Sequence, residues 1–94
     1  MQIQQEIPQA PEIETAVLGA LLLDNSCIAE NIDKIQTDFF FNPINQILFS
    51  AIKEMYLAGK EVDILSLVIY LKNKNKLEEV GGAYEISLLT SKVT

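Results

Sequence analysis

Residues Ala16-Val17-Leu18-Gly19-Ala20-Leu21-Leu22-Leu23 run for eight positions without a polar break. A helix on the surface of a globular domain carries an apolar stripe about 100° wide, so a run that is apolar on every side predicts a helix buried all round. The run is too short to cross a bilayer, which takes about 20 such residues. A fully buried strand can also give an unbroken apolar run. Two features favour helix. Ala and Leu are good helix formers, and only Val17 is β-branched. Pro11, Glu12 and Glu14 stand just upstream, where a first turn has no use for a proline N–H and welcomes negative charge. Gly19 costs a helix about 1 kcal/mol relative to Ala, which close approach of a second helix would offset.

The rest of the chain reads as further helices around that one. Residues 1–10 are Gln-rich and contain Pro8, which predicts a flexible lead-in, with a globular head over 11–94. The first helix spans Glu12 to Leu23. Asp24-Asn25-Ser26 breaks it and caps a short helix from Cys27 to about Ile32. Asn42-Pro43 is an N-cap followed by proline at the first helical position. Behind it, Ile44, Ile47, Leu48, Ala51, Ile52, Met55 and Tyr56 recur at helical spacing for more than three turns, and Gly59 closes the helix as a left-handed cap. Asp63 caps a fourth helix that is apolar on two sides and ends in the lysine-rich segment Lys72 to Lys76. Leu77 to Val80 makes one turn, Gly81-Gly82 a bend, and a last helix runs from Ala83 to about Ser91. No stretch of period two with hairpin chemistry appears, so the fold class is all-α. The predicted core is Val17, Leu18, Leu21, Leu22, Phe40, Ile47, Leu48, Ala51, Ile52, Met55, Leu67, Val68, Leu71 and Leu88.

The chemistry available is narrow. The chain has no histidine and a single cysteine, Cys27, which removes an internal disulfide and a zinc site from consideration and leaves Cys27 as a small apolar group. Ser26, Ser50, Ser66 and Ser87 lack the imidazole that would activate a hydroxyl near neutral pH. Gly59-Lys60 resembles the tail of a phosphate loop, but Glu61 follows where Ser or Thr would bind magnesium. The pairs Glu12/Glu14 and Glu78/Glu79 read as solvated faces or helix-dipole complements, with nothing to desolvate them for acid–base work. No catalytic, metal or cofactor residue is therefore expected. A net charge of −6 repels a phosphate backbone, so direct nucleic-acid binding is not expected, whereas a basic protein partner is. No membrane segment and no signal peptide is read, which makes the cytoplasm the expected location.

The run Phe39-Phe40-Phe41 is the most unusual local feature. Three neighbouring rings cannot all face one core, so at least one meets solvent or a partner, and aromatic anchors are enriched at interfaces. Together with Asn45 just beyond it, Phe39 and Phe41 mark a candidate partner surface.

Four pieces of this sequence, in order, resemble the N-terminal domain of the bacterial replicative DNA helicase, the DnaB family. Pro11 to Asp24 is similar to the family's opening helix, an acidic residue followed by A-V-L-G-x-L-L-L-D. Phe40 to Ile52 resembles its aromatic pair and following helix, Gly59 to Leu67 its G-x-x-V/I-D-x-x-T/S-L link, and Leu77 to Tyr84 its L-x-x-V-G-G-x-x-Y segment. Asn45 stands where the family usually has His, Phe41 where Tyr is common, and Tyr84 one place off its commonest position.

The resemblance implies a compact orthogonal bundle of about six helices around a buried central helix. It implies an interaction module: paired heads in a hexamer collar that dock primase and bear on the helicase loader. It also implies a parent that unwinds DNA using ATP and Mg, the ATPase domain being absent from this chain, which is then not itself an enzyme. A second reading, drawn from the two-sided fourth helix, is a free-standing all-helical adaptor or regulator that takes a peptide or a helix in a groove.

Overall fold

The computed structural model describes residues 11–92; the lead-in expected over 1–10 lies outside them. Within that span the elements are α1 (Pro11–Leu23), α2 (Asn25–Asn31), a 3-10 turn η1 (Thr37–Phe39), α3 (Pro43–Leu57), α4 (Ile64–Asn73), α5 (Gly82–Ser87) and a 3-10 turn η2 (Leu89–Lys92). No strand occurs among the described residues. The chain is all-α, with five α-helices there rather than six.

Side-chain caps set where the helices start. Asp24 is extended and its Oδ1 accepts from both the N–H and the hydroxyl of Ser26, at 2.9 and 2.7 Å, so α2 begins at Asn25, two residues before the expected Cys27. Asn42 Oδ1 accepts from the Ile44 N–H at 2.8 Å, with Pro43 next to it. Asp63 and Ser66 form a reciprocal capping box: Asp63 Oδ1 accepts from the Ser66 N–H at 2.8 Å, and Ser66 Oγ accepts from the Asp63 N–H at 2.9 Å.

The C-terminal ends of α3 and α4 share one device. Gly59 takes φ +76°, and the N–H groups of Lys60 and Gly59 donate to the carbonyls of Met55 and Tyr56, a Schellman closure. Asn75 does the same for α4 at φ +60°, with Lys76 donating to Leu71 and Asn75 to Lys72. Asparagine tolerates the left-handed region because its short polar side chain can bond locally.

The core draws on every element except η1. Leu18, Leu21 and Leu22 form one buried cluster with Ile28 and Ile32 of α2 and its following turn, with Phe40, with Leu48, Phe49, Ala51, Ile52 and Met55 of α3, and with Val62, Leu67, Leu71, Val80, Ile86 and Leu89. Burying each large aliphatic side chain contributes about 1.5–3 kcal/mol. A two-way bond pins the α3–α4 connection: Asn25 Nδ2 donates to the Val62 carbonyl at 2.8 Å, and the Val62 N–H donates back to Asn25 Oδ1 at 3.2 Å.

Three expectations need correction. First, α1 is not enclosed on all sides: it packs most extensively along η2, and also on α2 and α3, while Ile13 and Leu23 remain 54% and 59% exposed. A domain this small has too few elements to cover an inner helix completely. Second, Leu88 is only half-buried, and Leu89 holds the core position. The expected helix from Ala83 to Ser91 is divided at Leu88 into α5 and η2, and Leu89, three residues on from the buried Ile86, shares its inward face while Leu88 turns away from it. Third, Val17, Ile47 and Val68 lie against the core but are only partly buried, at the margins of their helical faces.

Candidate functional site

The three phenylalanines are sorted by the segment that carries them. η1 ends at Phe39, and the backbone then runs extended through Phe40, with φ −87° and ψ 117°. Alternation along extended backbone turns Phe40 inward and its neighbours outward. Phe40 is fully buried, edge-on to Phe39 at 5.0 Å between centroids and tilted against Phe49 at 5.1 Å. Gln46 Nε2 donates to the Phe40 carbonyl at 2.7 Å and fixes the segment from the α3 side. Phe39 and Phe41 stay exposed, Phe41 at 67%.

Phe41 owes its position to a buried acid. Glu14, in the first turn of α1, is 3% exposed. One carboxylate oxygen accepts from the Phe41 N–H at 2.8 Å; the other accepts from Asn45 Nδ2 at 2.8 Å and from the Asn42 N–H at 3.3 Å. Burial pushes this carboxyl up, but the bonds from Asn45, Phe41 and Asn42 prevail and hold it below its ordinary value, ionised at neutral pH. The acid therefore latches the start of α1 to the start of α3. Above it, Pro11, Phe41 and Pro43 border an open cleft of about 420 Å³.

Two expectations change here. Glu14 is not a solvated or merely dipole-complementing acid. Asn45 is 4% exposed and belongs to the latch, so it is removed from the partner surface, which is left with Phe39 and Phe41. Glu14 gave no local signal, because its partners lie 27 to 31 residues away. Pro11 and Pro43, which flank Phe41, were legible only as helix-start residues.

Among the described residues, no group of three or more His, Cys, Asp or Glu side chains is placed to hold a metal ion, and no helix is long and apolar enough to cross a membrane. Cys27 is half-buried and accepts from Asn31 Nδ2 at 3.6 Å.

A family model described as the DnaB-like helicase N terminal domain matches residues 6–94. The chain belongs to that family. The replicative DNA helicase DnaB of Rhodothermus marinus is 33% identical to it over 86 residues, which is 92% of this chain and 9% of that protein. The replicative DNA helicase DnaB of Treponema pallidum is 35% identical over 86 residues, again 92% of this chain and 20% of that protein. In three dimensions the chain is similar to the crystal structure of the N-terminal domain of DnaB helicase from Mycobacterium tuberculosis, with a TM-score of 0.86 at 30% identity, covering 92% of this chain and 62% of the other. The chain spans only 9% and 20% of the two DnaB helicases, and what it matches is the helical head described above.

Proposed function

We propose that this domain is the interaction module of a replicative DNA helicase, contributing to a hexamer collar through paired copies of itself and docking primase and the helicase loader during DNA replication in the bacterial cytoplasm. The parent unwinds DNA with ATP and Mg, bound in a separate ATPase domain, and the head itself grips no nucleic acid. The observation that carries this reading is the agreement of family and fold over nearly the whole chain, at a TM-score of 0.86. The exposed Phe39 and Phe41, held outward beside a proline-edged cleft, supply the apolar anchors such a surface uses, and the net charge of −6 suits a head that stands beside DNA without holding it.

The test is the whole gene product. It should assemble as a hexamer, hydrolyse ATP and unwind a forked duplex, whereas the 94-residue chain should turn over no ATP above background. A gene product without a phosphate-loop ATPase would overturn the reading.

One observation favours the second reading, an all-helical adaptor with a groove beside α4: Leu65 and Ile69, one turn apart on its outer face, are 69% and 50% exposed. A gene encoding only this domain would select that role.

A further inference from the structure

Away from Phe41, a furrow runs beside α4, and Tyr70 divides it. On one side is a cleft of about 420 Å³ with Ser50, Glu54, Lys74 and Lys76 on its walls. On the other is a smaller one of about 210 Å³ bordered by Met55, Lys60, Glu61 and Ile69. The ring lies between cations: Lys60 Nζ and Lys74 Nζ stand 5.6 and 5.3 Å from its centroid. The Tyr70 hydroxyl donates to Glu54 Oε1 at 2.5 Å, so one of the two carboxylates in the furrow is already engaged.

This placement runs against the charge of the molecule. The chain carries −6 overall, yet three of its seven cationic side chains gather on this one furrow, against the two acids Glu54 and Glu61. Gathering ammonium groups around one ring costs Coulomb energy that an added anion relieves. Met55 and Ile69 line the smaller cleft together with the Tyr70 ring, so the furrow offers cations along its edges and an apolar seat for one aliphatic side chain between them.

We infer that the furrow docks a short acidic peptide segment of another protein, its carboxylates pairing with Lys60, Lys74 and Lys76 and an aliphatic side chain seated against Tyr70. A nucleic-acid strand fits less well. Its backbone carries a charge about every 3.4 Å of helix axis and would run off the three lysines onto an acidic surface, whereas a peptide can confine its charge to the patch. The inference goes beyond the helicase-module reading, because it holds whether the domain works alone or at the head of a longer protein.

Fluorescence anisotropy tests it with the 94-residue chain and two labelled probes, a short peptide of alternating glutamate and leucine and an oligothymidylate. The peptide should bind saturably and more tightly than the oligonucleotide. Its affinity should fall about tenfold when salt is raised from about 0.05 M to about 0.5 M, since screening then acts within a few ångströms. Lys74→Glu with Lys76→Glu should weaken it by about tenfold or more, while Lys34→Glu, in the turn after α2, should not. Amide shifts in the unaltered chain should change around Tyr70 and Lys74 and stay still at Phe41. Absence of saturable peptide binding, tighter binding of the oligonucleotide, an unchanged affinity in the double variant, or shifts centred elsewhere would each overturn the proposal. If the double variant loses its helical signal, the shifts in the unaltered chain decide alone.

Discussion

The Glu14 carboxylate and the Asn45 side-chain amide lie 2.8 Å apart, both buried, and tie the first turn of α1 to the first turn of α3 across 31 residues of sequence. The same carboxylate holds the Phe41 N–H, so the contact that joins two helices also sets where an exposed aromatic ring leaves the backbone.

Removing that acid should therefore cost more than a surface substitution. Glu14→Ala strands the Asn45 amide and two backbone N–H groups, and a buried donor without a partner costs about 1–3 kcal/mol. The expected loss is about 2–4 kcal/mol, a fall in Tm of about 10 °C or more for a domain of this size. Glu14→Gln keeps one carbonyl acceptor and should cost about half as much. Thermal melts followed by circular dichroism check both.

The latch also predicts how stability follows pH. The folded carboxyl is held below its ordinary value of 4.5, so its contribution is fully present above that value and is lost as pH falls through the folded pKa. Tm should be nearly flat from neutrality to about pH 5.5 and drop below about pH 4.5. Asp24, whose carboxyl is lowered by the hydroxyl and N–H of Ser26, acts with the same sign. The difference between the parent chain and Glu14→Gln isolates the latch: it should shrink as pH falls below 4.5.

Phe40 and Phe41 are neighbours with opposite roles. Phe40→Ala empties a fully buried site between Phe39 and Phe49, and such truncations cost about 3–5 kcal/mol. Phe41→Ala removes a ring that is 67% exposed and should change stability by less than about 1 kcal/mol. Urea denaturation of the two variants separates them directly.

Gly59 tests the closure of α3. Nothing lies within 4 Å of where its Cβ would stand, so Gly59→Ala adds no clash and only the strain of φ +76°. The expected cost is about 1–2 kcal/mol. Gly59→Asn should cost less, since Asn75 already serves the same geometry at the end of α4. Chemical denaturation of both variants is the check.

The α3 helix was legible because its whole signal is local: Asn42-Pro43 at the start, a repeating apolar face, and Gly59 at the end. Three neighbouring rings cannot all face one core, and the expected sorting, Phe40 inward with Phe39 and Phe41 outward, is the one observed. The Glu14 latch was hidden because an acid in a first turn reads alike whether it faces water or a buried N–H, and the difference is made 27 to 31 residues away. Leu89 takes the core place expected for Leu88 because it lies three residues on from the buried Ile86, on the same helical face. Asn75 went unread among lysines because a left-handed asparagine looks like any polar residue at a solvated end.

If this domain docks primase, as proposed, its removal should weaken that binding. Isothermal titration of the C-terminal domain of a cognate bacterial primase into the whole gene product, and into the same protein lacking residues 11–92, measures it most directly. Binding to the whole protein should be saturable, and weakened about tenfold or more by the deletion and measurably by Phe41→Ser. Equal affinity with and without the domain would contradict the proposed docking.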